Sequence, residues 1–281
     1  MKFSDFSKKC LYFDIAKKFD FYSVFDEFEF DVDKDLYSNI LKIFIKQSDC
    51  ILKQLNLDEH CLKALHILSK NDRKRYSVNK FIPHFKALGV INKLLEKEIL
   101  ILEKSQEKPL IKNKRQKIKK ELRKYNIQDK LIFKNQGLRF FFYFIYPNLA
   151  LIYQNKYEEL LKIIHLNLEN YQGFTFELVC KEFLAKKLQV EQVFGFWNYY
   201  CEIDLYYNEG NFYVIGEAKF KDRKICKNVL NILKNKAKEL KIKPNLYVLF
   251  SKSGFSKEII VNKERNLLLY TLEDFIFLTK G

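Results

Sequence analysis

Within sixteen positions, Asp204, Glu217 and Lys219 combine two carboxylates with an ammonium. In an extended strand, side chains two apart share a face. Glu217 and Lys219 would therefore project together from one segment, as Glu202 and Asp204 would from another. If the two segments pair as a hairpin, Asp204 and Glu217 converge. Such a pair is a hard-oxygen site suited to Mg²⁺ or Mn²⁺, ions that keep waters for reaction. Lys219 could orient or help deprotonate an attacking water and offset charge in the transition state of phosphodiester cleavage. Glu177, on a helical stretch upstream, is placed to add a contact through water.

The acid-x-Lys triplet alone carries little information, because 44 of the 51 basic residues are lysine. Asp72, Asp222 and Glu239 also begin acid-x-Lys triplets. Only the triplet at Glu217 follows an apolar strand (Tyr213, Val214, Ile215) and has a second carboxylate thirteen residues upstream. Burying such a cluster is costly unless it is paired or metal-bound, so a purely structural network is the less favoured reading.

The elements that must position these groups follow from periodicity. Gly173 to Leu188 predicts a helix with Phe176, Val179, Cys180, Phe183 and Leu184 inward and Glu177 near its start. Tyr199 to Tyr207 predicts a strand, Glu209-Gly210 a hairpin turn and Phe212 to Phe220 the partner strand. Lys224 to Leu240 predicts a helix burying Val229, Ile232, Leu233, Ala237 and Leu240. Strands at Leu246 to Phe250 and Leu267 to Tyr270 flank a short helix at Phe255 to Asn262. The order of helix, strands, helix and strand over 173–281 is that of a PD-(D/E)xK, restriction-endonuclease-like α/β domain.

Upstream the chain reads as helical. Residues 1–56 hold interleaved phenylalanines and acids, then one amphipathic helix from Leu36 to the Asn56 region. Residues 57–127 read as a winged-helix-like basic domain. Asp58 caps a first helix carrying Leu62, Leu65, Ile67 and Leu68. Ser77 starts a second that buries Phe81, Ile82 and Phe85. Gly89 marks a turn, Val90 to Lys97 form a third helix, and Ile99 to Leu102 a strand. Asn92, Lys93 and Lys97 would then approach a major groove. Lys114, Arg115, Lys117, Lys119 and Lys120, in a run with eight basic residues in thirteen (Lys112 to Lys124), would meet phosphates. A protein-binding three-helix module and a merely solvated charge run are the alternatives. Residues 128–172 form an aromatic connecting segment, with Leu138 to Pro147 a strand or helix and Tyr157 to Asn170 a linking helix.

Charge is unevenly spread. Residues 1–56 carry 9 basic and 10 acidic side chains, residues 57–130 carry 20 and 9, and residues 131–281 carry 22 and 16. The excess in the middle suits a polyanion. The apolar run Phe140 to Tyr153 is too short to span a bilayer and contains Pro147. Met1 to Cys10 has no secretory pattern, and the cysteines and histidines lack zinc spacing. A cytoplasmic protein with reduced, mostly buried thiols is expected.

The segments Gly173 to Glu177 (GFTFE), Gly195 to Trp197 (GFW), Glu202 to Leu205 (EIDL) and Gly216 to Phe220 (GEAKF) carry a family resemblance, together with Tyr125 to Asp129 and the Leu138 to Pro147 block. They resemble the nuclease-like domain found C-terminal to archaeal-type ATPases, over roughly 57–281. The resemblance implies that Glu177, Asp204, Glu217 and Lys219 align with the nuclease motif and that Gly195 and Trp197 pack. Those relatives usually carry an ATPase, whereas no G-x-x-x-x-G-K-[ST] loop is present in this sequence. ATP binding is not predicted, and an ATPase partner would act in trans. The expected activity is a Mg²⁺-dependent nuclease acting on double-stranded DNA, with a homodimer attractive for a two-strand cut. The alternatives are a winged-helix DNA-binding regulator on a silent nuclease fold and a structural partner of an ATPase.

Overall fold

The computed structural model describes residues 1–70, 73–107 and 127–280. It is a mixed α+β molecule, with helices in the N-terminal part and a mixed sheet in the C-terminal part. The basic run with Lys114, Arg115, Lys117, Lys119 and Lys120 lies outside the described residues.

The first helices are α1 (Phe3–Phe6) and α2 (Ile15–Phe25), the latter capped by Asp14, whose carboxylate accepts from the Lys17 amide at 2.7 Å. The phenylalanines of this region enter the main core: Phe19 packs edge-on to Phe176 and lies 4.9 Å from Phe220. The expected single helix from Leu36 to Asn56 is instead α3 (Leu36–Ile40), a π turn over Leu41–Ile45 and α4 (Ser48–Leu55). The wider turn, closed by Lys46 N to Leu41 O at 3.0 Å, brings the consecutive Ile43, Phe44 and Ile45 into the core.

Next come α5 (Glu59–Ser69), α6 (Arg75–Asn79) and α7 (His84–Glu96), followed by β1 (Leu100–Glu103) and, beyond the undescribed stretch, β2 (Lys130–Phe133). The two strands pair antiparallel, Leu100 opposite Phe133, and Lys74 bridges to Lys130 beside them. Asp58 caps α5 as expected, accepting from the Cys61 amide at 2.9 Å. Two expectations fail here. Gly89 lies inside α7, because Ala87, Val90, Ile91 and Leu94 give that helix one continuous buried stripe. Phe81 and Phe85 are exposed, and of the expected trio only Ile82 is buried. With α6 ended at Asn79 and α7 starting after Pro83, Phe85 falls on the side opposite that stripe.

Residues 136–153 form α8 (Gln136–Phe140), a second π turn over Phe141–Ile145, a 3₁₀ turn and α9 (Leu149–Tyr153). The linking helix and the helix expected from Gly173 are one element, α10 (Tyr157–Leu188), 32 residues long. Buried Leu160, Ile164, Leu168, Tyr171, Phe176 and Val179 carry the stripe straight through Gly173, so Glu177 sits well inside the helix.

The sheet order is β3 (Phe194–Trp197), β4 (Glu202–Glu209), β5 (Phe212–Lys219), β6 (Leu246–Ser251) and β7 (Leu267–Thr271). The first three strands form an antiparallel meander; β5, β6 and β7 run parallel, joined through α11 (Lys227–Glu239) and α12 (Lys257–Val261). The chain closes with α13 (Ile276–Thr279). Gly210, at φ +58°, makes the two-residue β4–β5 turn possible. The expected strand from Tyr199 begins only at Glu202, because Asn198 caps the turn and accepts from the Tyr200 and Cys201 amides. Two cores flank the sheet. Val214, Val248 and Phe250 join the main cluster, which runs from Phe3 to Leu278, whereas Ile215, Leu249, Leu230 and Leu233 pack under α11. In α11, Leu230 takes the inward place expected of Ile232, which is exposed.

Among the described residues no helix is long and apolar enough to cross a membrane.

Candidate active site

Pairing of β4 with β5, Leu205 opposite Gly216, carries Asp204 and Glu217 to the same end of the sheet. A Cβ on Gly216 would stand 2.8 Å from the Val248 carbonyl, so glycine is what lets β6 close on β5 beside the site. Asp204 Oδ2 accepts from the Ala218 amide at 3.0 Å. Glu217, buried, accepts from Lys219 Nζ at 2.7 Å through Oε1 and from Lys236 Nζ at 2.8 Å through Oε2. Asp204, Glu217 and Lys219 are therefore brought together.

Burial pushes the Asp204 carboxyl up to about 7, and the negative charges of Glu217 and Glu177 add to the shift. Lys219 and the Ala218 amide oppose it. Burial works against the Lys219 ammonium, but Asp204 and Glu217 outweigh it and raise its pKa. Asp204 is thus a carboxyl short of positive charge, next to a carboxylate that holds two lysines.

Glu177 lies in a different setting. Its Oε1 is 2.8 Å from Lys181 Nζ, one helical turn along α10, and its Oε2 is 3.9 Å from Arg73 Nη2. Lys181 also donates to Glu103 of β1 at 3.1 Å. Burial alone would raise the Glu177 pKa, but Lys181 and Arg73 overcome it and lower the value. The buried Arg73 guanidinium stacks 3.7 Å from the Phe174 ring centroid. Nearby, Lys130 of β2 pairs with Glu202 at the start of β4 and lies 4.3 Å from the Trp197 ring centroid. Trp197 Nε1 donates to the Gln128 carbonyl at 2.7 Å, and Ser105 Oγ bonds the Trp197 main chain. Trp197 is buried, as a packing residue would be.

Two of these residues were not singled out from sequence. Lys236 was hidden among many lysines, and only the packing of α11 across Ile215 brings it to Glu217. Arg73 left a faint signal, since arginine is scarce in this lysine-rich chain and suits buried, stacked positions.

Of the residues expected to meet nucleic acid, Asn92 and Lys97 are exposed on α7 and just after it. Lys93 is tied to Asp58 at 2.7 Å. That contact and the Cys61 amide bond hold the Asp58 carboxyl well below its usual range.

Asp204 and Glu217 offer hard oxygen donors from neighbouring strands, and the burial and repulsion that together lift Asp204 are what a bound cation offsets. Among the described residues no group of three or more His, Cys, Asp or Glu is arranged to hold a metal ion. A two-carboxylate set suits Mg²⁺, which is commonly held by one or two carboxylates with waters or substrate oxygens completing its shell.

The segment running from the second π turn through α10 and the β3–β5 meander to the end of α11 has a counterpart elsewhere. Residues 141–239 match the model of the DUF234 family, described as archaea bacterial proteins of unknown function. The matched stretch contains Glu177, Asp204, Glu217, Lys219 and Lys236. No curated protein and no solved structure matches the chain.

Proposed function

We propose that this chain is a divalent-metal-dependent nuclease of the PD-(D/E)xK type that cleaves phosphodiester bonds in DNA. The observation that carries the reading is the convergence of Asp204, Glu217 and Lys219 at one sheet end, with Asp204 left short of positive charge. Support also comes from the order of elements: a long helix, an antiparallel meander bearing the carboxylates, then a helix leading to a parallel strand.

In this reading Asp204 and Glu217 hold Mg²⁺ or Mn²⁺, which would supply Lewis acidity at the scissile phosphate. Lys219 donates a hydrogen bond to the attacking water and offsets charge gathering on the phosphoryl oxygens. Lys236 orients Glu217 by its contact with Oε2. Glu177 holds its place between Lys181 and Arg73 and adds negative potential at Asp204. The helices α5 to α7 with the β1–β2 ribbon act as a winged helix that holds the duplex, and any ATPase motor comes from another chain.

A specific observation favours a second reading. Both Glu217 oxygens are occupied by lysines. A silent nuclease fold serving a DNA-binding regulator would keep that arrangement with no metal.

Cleavage of plasmid and single-stranded DNA with Mg²⁺ or Mn²⁺, with metal binding followed by calorimetry, separates the two. Metal-dependent cutting that disappears in Asp204→Ala and Lys219→Ala supports the nuclease. A wild type that shifts DNA at low salt without cutting or binding metal overturns it.

A further inference from the structure

Between Arg73 and Leu95 the chain carries six basic residues and no acidic one. The same stretch has an unusual outer surface. Tyr76 on α6, Phe81 in the α6–α7 elbow and Phe85 in the first turn of α7 are each more than half exposed, at 60%, 58% and 77%. Leu88, one turn beyond Phe85, is also exposed. Single exposed apolar residues are ordinary, but three aromatic rings within ten positions of a helical elbow need a reason. The elbow is ordered by its own contacts: Pro83 leads into α7, Asn79 bonds His84 at 3.0 Å, and Ile82 is buried beneath. The rings are therefore presented by a fixed scaffold.

The charge around them selects the ligand. Along the sequence Arg75, Lys80 and Lys86 flank the rings with no acidic residue between them, and Lys86 Nζ lies 3.5 Å from His60 Nε2. Aromatic faces set among cations are what unpaired nucleic acid requires: bases stack on the rings while the phosphates meet the basic groups. The segment just before α6 is tied to the surroundings of the candidate site. Arg73, at the start of the same acid-free stretch, reaches Glu177, and Lys74 bridges to Lys130, which contacts Glu202.

We propose that the α6–α7 elbow is a binding platform for an unpaired nucleic-acid strand, with bases stacked on Tyr76, Phe81 and Phe85 and phosphates met by Arg75, Lys80 and Lys86. This rests on the nuclease reading only for its purpose, which is to hold a single-stranded segment leading to Asp204. Binding itself needs no cleavage.

The test is binding of the full chain, in the absence of divalent metal, to labelled oligodeoxythymidine and to a duplex of equal length. Phe81→Ala and Phe85→Ala should each weaken oligodeoxythymidine binding by roughly 5- to 100-fold, the range expected for loss of one stacked base, and should affect the duplex less. Phe85→Trp should retain binding. Arg75→Gln and Lys86→Gln should each flatten the salt dependence by about 0.7 in log–log slope. All these positions are at least partly exposed, and unchanged circular dichroism will show that folding is intact. Undiminished oligodeoxythymidine binding in Phe85→Ala overturns the platform, as does equal loss for single strand and duplex. A wild-type dimer that Phe85→Ala dissociates in sedimentation would also overturn it, marking the face as a protein contact. Binding without metal and cleavage with Mg²⁺ are read on the same wild-type protein and on Phe85→Ala. Loss of cleavage with binding intact, or the reverse, therefore tells failure of the nuclease reading apart from failure of this one.

Discussion

Two neighbouring groups of carboxylates are solved in opposite ways. Around Glu177 the chain has neutralised itself: Glu103, Lys181, Glu177 and Arg73 alternate in sign and are drawn from β1, α10 and the segment before α6. Around Asp204 it has not. Glu217 takes two lysines, and among the described residues Asp204 receives a backbone amide at Oδ2 and the more distant charge of Lys219. A buried charge is tolerated when paired and costly when left alone. The first group therefore reads as a strut joining the helical region to the long helix. The second keeps an uncompensated carboxylate, which structural economy alone would not retain.

That contrast can be broken by experiment. The largest expected effect is on activity: Asp204→Asn should remove metal-dependent cleavage by a factor of about 10³ or more, whereas Glu177→Gln should leave a measurable rate. If both lose activity equally, Glu177 belongs to the chemistry and not to the strut.

In stability the order should reverse. Lys181→Met strands Glu103 and leaves Glu177 with the more distant Arg73, and should cost about 3 kcal/mol in urea unfolding. Asp204→Asn should be neutral or stabilising at pH 8 in the absence of divalent metal.

The dependence on pH sharpens this further. Because the folded pKa of Asp204 is raised from 3.8 to about 7, the unfolded chain ionises first as pH rises. The metal-free protein should lose stability between about pH 4 and pH 7, and Asp204→Asn should remove that part of the slope. The lowered pKa of Glu177 acts in the opposite sense: its stabilisation is present above the ordinary glutamate value and is lost as pH falls through the lowered one. A Glu177→Gln variant should therefore flatten the acid limb of the profile instead. Thermal melts across this range check both signs.

The smallest effect should come from an exposed counterpart of these pairs. Asp58→Ala removes the α5 cap and should cost about 1 kcal/mol, mostly through the lost Cys61 amide bond and not through Lys93. A larger loss would mean that surface pairs matter here as much as the strut.

The strand that carries Glu217 and Lys219, the hairpin at Gly210 and the cap at Asp58 were legible in the sequence. Each is set by local chemistry: alternation in a strand, positive φ in a tight turn, an acceptor before a helix. Local pattern failed where packing decides which side of a residue faces the core. Leu36 to Asn56 reads as one amphipathic helix, but the backbone widens into a π turn over Leu41–Ile45, where Ile43, Phe44 and Ile45 are all buried. Phe81 and Phe85 read as core because phenylalanine usually is, yet the course of the chain at Pro83 turns them outward. Gly89 reads as a turn and Gly173 as a helix start, but both lie inside helices whose buried stripes run past them. By itself the sequence determined the candidate carboxylates and the strand that aligns them, because side-chain parity is a property of the backbone alone. Tertiary structure decided that Lys236 reaches Glu217, that Arg73 reaches Glu177 and that Asp204 is left short of charge, because those facts depend on which distant segments share one low-dielectric space.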